Sequence, residues 1–223
     1  KTMTQKKKIS RQLSLLSSSS HQTQLKYQYG PHTTVITLTI SPQSPHGSPV
    51  TIHSSTLSYL EINFVESYVY SMMDMKFRYP GKMLLFCIEQ IGVLDFTLGC
   101  VFESILYSLM ASGLEMERTL VPIVLCSDRL NPEQPTAKVS PKKWKIYQPK
   151  FKIPETESMK VYDNWDNIIL YTFEHELMVG CFMRSGSMSE KQMQDALTRA
   201  REHIPYQRNV VRTLSEKFLS VAH

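Results

Sequence analysis

From Thr34 onward the spacing of apolar residues switches between a period of two and a helical period, and few folds accept that order of elements. Over Thr34–Ile40 the side chains alternate, Val35, Thr37 and Thr39 on one face and Thr34, Ile36, Leu38 and Ile40 on the other, as in a half-buried strand. Ser41–Pro49 carries three prolines and a glycine and must turn, after which Val50–Ser55 alternates again. These two runs predict a hairpin. From Asn63 the period lengthens. Phe64, Val65, Tyr68, Val69, Met72 and Met73 recur at helical spacing behind an Asn63 cap with Glu66 three residues on, and Pro80 and Gly81 end the helix. Met83–Ile88 is a short continuous apolar run, the pattern of a strand covered on both faces. Leu98, Val101, Phe102, Ile105, Leu106 and Leu109 then form the buried stripe of a second helix, capped by Asp95 and closed by Gly113 in the left-handed region. Leu114–Leu125 returns to strand composition, with Pro122 marking an edge or a strand end.

The order strand, strand, helix, strand, helix, strand predicts an α/β domain over residues 27–130, a mixed sheet with helices packed against it. Around it, residues 1–26 are polar, basic and Ser-rich and read as a tail with too little apolar content to offset the entropy of ordering. Residues 131–160 are rich in proline and lysine, an extended arm or linker. Residues 161–223 predict a small α+β extension. Ile168–Phe173 and Leu177–Met183 form its hairpin, and a helix capped by Ser189 with Gln192 runs through Met193, Ala196, Leu197 and Ala200 to stop near Pro205. A final helix is expected over Val210–Val221. With 223 residues the chain can bury one full core and an appendage.

Patterns that carry chemistry are incomplete. "HELMV" at His175–Val179 begins like a zinc-protease helix but has valine where the second metal-binding histidine must stand. "RSGSMS" around Gly186 follows no buried strand with the glycine spacing of a nucleophile elbow, and reads as a loop leading into a capped helix. No glycine-rich phosphate loop is present. A ribonuclease H-like nuclease would place metal-binding carboxylates on its first strands, whereas the first carboxylate of this chain is Glu61. Cys87, Cys100, Cys126 and Cys181 sit singly in apolar runs and read as reduced core residues. The most apolar stretch, Met83–Met110, is interrupted by Glu89, Asp95 and Glu103, so no membrane-spanning helix is expected. The expectation is a non-enzymatic protein with no cofactor, no metal, no small-molecule substrate and no membrane.

Binding is the stronger signal. "KVSPKKWKIYQPKFK", Lys138–Lys152, holds six lysines and no acid, with Trp144, Tyr147 and Phe151 interleaved. Lysines neutralise phosphates while aromatic faces stack on unpaired bases. A solvated linker whose aromatics pack back onto the domain is the alternative. At the strand ends, His32, Thr33, Thr34, Ser54 and Ser55 offer short donors in a region without carboxylates, suited to positioning a sugar-phosphate chain, although such residues also suit strands for their propensity alone. The candidate RNA-binding set is these five with Arg129, Lys138, Lys142, Lys143, Trp144, Lys145, Lys150 and Lys152. The basic, acid-free start, which lacks an initiator methionine, resembles what surrounds an organellar targeting segment; a disordered basic tail on a cytosolic protein reads equally well.

The order of pieces resembles the family of small-subunit ribosomal protein eleven. "HTTVITLTI", Gly47 and "VTIHSSTLSY" stand where that family has its first strands and turn. Its long helix is matched by Asn63–Tyr79, its buried strand by "KMLLFCIEQIG", and its second helix and following strand by "ESILYSLMASGLEMERTLVPIVLCSDR". The resemblance spans about Tyr27–Arg129 and implies a ribonuclease H-like ribosomal scaffold in a divergent version of the family. It implies a structural component of a mitochondrial small ribosomal subunit, in the matrix, binding rRNA and other ribosomal proteins, with cytoplasmic residence as the alternative. The rival readings are a scaffold or adaptor subunit of a large protein complex, for example a vesicle coat, with no RNA contact, and an enzyme of unrecognised type.

Overall fold

From Arg11 the described residues form sheet where a polar tail is expected. In the computed structural model, which describes residues 10–92, 98–128, 151–152, 165–185 and 188–221, β1 (Arg11–Ser18) and β2 (Gln22–Tyr29) pair antiparallel. Strand β2 turns at Gly30 and Pro31 into β3 (His32–Pro42), its antiparallel neighbour. Thr23, Leu25, Tyr27 and Tyr29 point into the core while Gln24, Lys26 and Gln28 remain half-exposed. Strand β1 is an edge strand. Of its side chains only Arg11 and Leu13 are partly covered, and it is held by its backbone ladder, with a bulge between Leu15 and Ser17. A strand of that kind needs few apolar residues, so composition alone reads it as a tail.

The expected hairpin between Thr34–Ile40 and Val50–Ser55 does not form. Strand β5 (Lys82–Ile91) inserts between β3 and β4 (Val50–Ser54), antiparallel to the first and parallel to the second, in a mixed sheet of order β1-β2-β3-β5-β4. A parallel neighbour requires a crossover, and α1 (Tyr59–Met72) supplies it. This helix starts before Asn63. Ser58 caps it, its hydroxyl accepting from the Glu61 amide at 3.4 Å while the Glu61 carboxylate accepts from the Ser58 amide at 2.8 Å. It also stops at Met72, well before Pro80.

Helix α2 (Leu98–Ala111) is buried at every position from Leu98 to Leu109, because it lies between two sheets. A Cβ on Gly99 would stand 2.4 Å from Val124 Cγ2, so no larger residue fits where the helix begins against the second sheet. Gly113 adopts the expected left-handed conformation beyond the helix end, φ 70°. The expected cap, Asp95, lies outside the described residues.

The second sheet takes β6 (Val121–Asp128) away from the first. With β7 (Phe151–Lys152), β8 (Trp165–Glu174) and β9 (Leu177–Ser185) it forms an antiparallel sheet of order β7-β6-β8-β9. The ribonuclease H-like ribosomal scaffold is thereby corrected: the mixed sheet is present, but its final expected strand belongs elsewhere, and two N-terminal strands extend it. Pro122 sits at the start of β6, where it interrupts least. The "HELMV" segment is the β8–β9 turn and the start of β9, with His175 at φ 55°.

Helix α3 (Glu190–Val221) is one element where two are expected. The Ser189–Gln192 capping pair forms, the Gln192 side chain accepting from the Ser189 amide at 2.7 Å. Pro205 lies inside the helix and removes the donor that the Arg201 carbonyl would otherwise meet. Packing on both sides of it keeps the helix continuous: Ala196, Ala200 and Ile204 lie on β6 and β8, and Gln207, Val211 and Ser215 are buried further on. Two cores result. The larger lies between the first sheet, α1, α2 and one face of the second sheet; the smaller lies between the other face of that sheet and α3. Of the four cysteines, Cys100 and Cys126 are buried and Cys87 is partly covered, while Cys181 is exposed and so is not a core residue. Among the described residues no helix is long and apolar enough to cross a membrane.

Candidate functional site

The sequence places its candidate donors at two strand ends, and the fold brings those ends to the same edge of the first sheet. Thr33 is paired with Ile91 and Ser54 with Ile88, so the two ends flank the C-terminal end of β5, two strand spacings apart across the sheet and three residues apart along it, roughly 14 Å in all. Thr33 and Ser54 are half-buried and Ser55 is exposed. His32 and Thr34 are fully buried. The Thr34 hydroxyl lies 2.9 Å from His32 Nε2, and His32 Nδ1 lies 3.1 Å from the Gly92 carbonyl. A carbonyl only accepts, so Nδ1 carries the proton and Nε2 accepts from Thr34. Both side chains spend their polar groups holding the end of β5, and neither is presented to a ligand.

Ser54 is engaged as well, its hydroxyl 3.1 Å from that of Thr56, which donates to the Gln90 side chain at 2.5 Å. The absence of acids over the first quarter of the chain does not survive folding. Strand β5 brings Glu89, exposed and opposite Val35, between the two strands that carry the donors. A surface free of carboxylates in sequence thus has one in space, which weakens a sugar-phosphate contact there. Arg129, Lys138, Lys142, Lys143, Trp144, Lys145 and Lys150 lie outside the described residues. Of the arm's end, the backbone of Phe151 and Lys152 pairs with Ser127 and Cys126 as an edge strand.

Burial holds the His32 imidazole below its ordinary value, opposed by its bond to Gly92. The unfolded chain therefore takes up the proton first. Stability from the neutral ring is complete above about pH 6.5 and is lost as pH falls from there toward the lowered folded value. Replacing His32 with Gln should flatten the pH dependence of the urea midpoint below about pH 6.5, followed by circular dichroism.

A polar cluster that sequence reasoning missed lies deeper. Arg11 of β1 donates to both oxygens of Glu103 on α2, at 3.2 and 3.4 Å, and to the Gln207 side chain of α3 at 3.3 Å. Gln207 donates to Glu103 at 2.5 Å, and the Tyr27 hydroxyl donates to the same carboxylate. Burial first and the Glu103 charge second push the Tyr27 hydroxyl well above its usual value, so it remains a donor. The guanidinium of Arg11 also covers the Tyr29 ring at 5.2 Å. This network ties β1, β2, α2 and α3 together. Its available signal was an acid at the centre of an otherwise apolar stripe in α2, which demands a buried cation.

The other buried carboxylate among the described residues is also structural. Glu61 caps α1 and meets Arg184 of β9 at 3.2 Å.

No known protein family matches the sequence, and no curated protein matches it closely enough to count as a relative. Solved structures do match. The Rrp46 protein of rice (Oryza sativa) superposes with a TM-score of 0.67 over 97% of this chain and 98% of that one, at 11% identity. An archaeal exosome core superposes with a TM-score of 0.58 over 94% of this chain and 87% of that one, at 12% identity. These likenesses take in the N-terminal strands and the long C-terminal helix, which the ribosomal resemblance left outside its bounds. Assignment to the family of small-subunit ribosomal protein eleven is thereby overturned, and with it the role in a mitochondrial small ribosomal subunit; rRNA and ribosomal proteins as the specific partners, and the vesicle-coat alternative, find no support in these likenesses. The chain has a mixed α/β fold similar to that of rice Rrp46 and of the archaeal exosome core.

Proposed function

We propose that this protein is a non-catalytic RNase PH-like subunit of a multi-subunit RNA-processing complex, whose partners are RNA and other protein subunits. The observation that carries this reading is the extent of the likeness to rice Rrp46, which takes in nearly the whole of both chains. A non-catalytic role is supported by the use of the covered carboxylates: Glu61 and Glu103 are committed to a helix cap and to an internal network. Protein partners are favoured by the open edges of the sheets, β1 and β4 on one and β9 on the other. RNA contact falls to the Lys138–Lys152 arm, since the strand-end donors are largely occupied.

Purification of the tagged full chain from its own cells tests this. Recovery in a stable particle with RNA and with other subunits of the same fold is the expected result; recovery as a lone chain without RNA, or with ribosomal subunits, would sink the proposal. Incubated with single-stranded RNA, the purified chain should leave its length unchanged. Neutralising Lys142, Lys143 and Lys145 together should reduce the salt dependence of RNA binding by about 2 in log–log slope, at roughly 0.7 per phosphate contact. An unchanged slope would remove the arm from the interface.

A further inference from the structure

The sheet β1-β2-β3-β5-β4 buries one face against α1 and α2, and its strands alternate, so a second face looks the other way. On that face Gln24, Val35, Thr37, Leu85, Cys87 and Thr51 are half-buried, and none of the apolar ones belongs to either core. The face is poor in charge. It carries Lys26 on β2 and Glu89 on β5, and β3 runs between them. Lys26 is paired with Val35 and Val35 with Glu89, so one row crosses the sheet as Lys26, Val35, Glu89, with the two charged residues about 10 Å apart at the backbone. Neither charge has a hydrogen bond or an ion pair among the described residues. A centre of apolar and hydroxyl side chains with few charges has the composition of an interface core.

The placement of the two charges selects the occupant. If two copies face each other across a two-fold axis that runs along β3, Lys26 of each copy meets Glu89 of the other, and Val35 meets Val35. An axis across the strands would set Lys26 on Lys26 and Glu89 on Glu89, and like charges in contact are costly. The first arrangement also keeps the strands of the two sheets aligned, as in stacked sheets about 10 Å apart. Five strands over some seven residues give a face of about 500–600 Å² per copy, at the lower end of what a specific interface covers. We propose that this open face joins two copies of the chain about a two-fold axis along β3, held by reciprocal Lys26–Glu89 pairs around Val35. The inference does not depend on the proposed RNA-processing role.

Sedimentation equilibrium of the full chain tests it, at concentrations up to about 200 μM because a face of this size supports only a weak complex. A monomer–dimer equilibrium is the expected result. Lys26→Glu sets glutamate against Glu89 twice, and Glu89→Lys sets lysine against Lys26 twice, so each should weaken the dimer about tenfold or more. Mixed in equal amounts, the two variants should associate about as well as the unaltered chain, because every contact is again between opposite charges. Both changes in one chain should restore self-association for the same reason. Lys191→Glu, on α3, makes the same charge change and should leave the dimer as it was. Circular dichroism separates lost association from lost folding in each variant. A chain that stays monomeric throughout, whether the face is open or covered by another protein or by a segment of this chain, would overturn the proposal. So would an unchanged dimer in the single variants, or a mixture that associates no better than its components.

Discussion

Replacing Glu103 with alanine is expected to lower the free energy of unfolding by about 3–5 kcal/mol, the range for breaking a buried ion pair by removing one partner. The carboxylate is the shared acceptor for Arg11, Gln207 and Tyr27, and every one of these groups is covered. Without it the Arg11 guanidinium, whose side chain is 8% exposed, loses its bonds to both carboxylate oxygens and the charge that offsets its desolvation there. A domain of ordinary stability has only about 5–15 kcal/mol in total, so the variant should sit near the edge of folding. The same argument fixes the rescue. Exchanging both partners for apolar residues of similar size, Arg11→Met with Glu103→Leu, removes the stranded charge and should recover most of the loss. Urea unfolding of the two single variants and the pair measures this, and the coupling energy should be well above the few tenths of a kcal/mol seen for independent sites. A loss below about 1 kcal/mol for Glu103→Ala would mean that solvent reaches the network in solution.

That network also shows what the sequence could and could not convey. Where burial enforces a strict pattern the reading succeeds: the alternation of β3, the buried stripe of α2, the β8–β9 hairpin and the Ser189 cap are all local signals, whereas β5 is a strand as read but buries one face, Leu84, Phe86 and Ile88, and leaves Met83, Leu85 and Cys87 half-exposed rather than being covered on both. It fails where the stabilising partner is remote. Strand β1 is held by the ladder to β2, and its Arg11 meets a glutamate 92 residues away in the sequence. Pro205 predicts a break that packing on both flanks prevents. Pairing order is the clearest case, because nothing in the loop from Ser41 to Pro49 announces that β5 will separate the strands it joins.

The candidate site illustrates the same limit in electrostatic terms. An acid-free quarter of the sequence suggests a surface for a polyanion, but strands β3 and β4 share their sheet with β5, which carries Glu89 and Gln90 to the same edge. His32 and Thr34 read as donors because their types are right, and the fold uses those types to close an internal chain of bonds onto Gly92.

Phe102→Ala should have the second large effect, a loss of about 3–5 kcal/mol in unfolding free energy. Its ring is fully buried on α2 and lies 4.5 Å from that of Tyr68 and 5.5 Å from that of Phe64, both on α1. Phe64 stacks in turn on Phe182 of β9 at 5.2 Å, in space kept open by Gly180, where a Cβ would come within 3.3 Å of the Phe64 ring. Four rings thus connect both helices of the central layer to the second sheet. Truncation at Phe102 removes the deepest of them and leaves a cavity that rigid neighbours on two elements cannot collapse to fill. Phe102→Leu keeps most of the volume and should cost less than half as much. Phe182→Ala, at the half-buried end of the column, should also cost less, since part of the vacated space opens to solvent. Combining Phe102→Ala with Phe64→Ala should give a loss smaller than the sum of the singles by about 0.5–1.5 kcal/mol, the magnitude of a direct aromatic pair. Strict additivity in urea titrations would place the two rings out of contact and remove the aromatic column as the link between the layers.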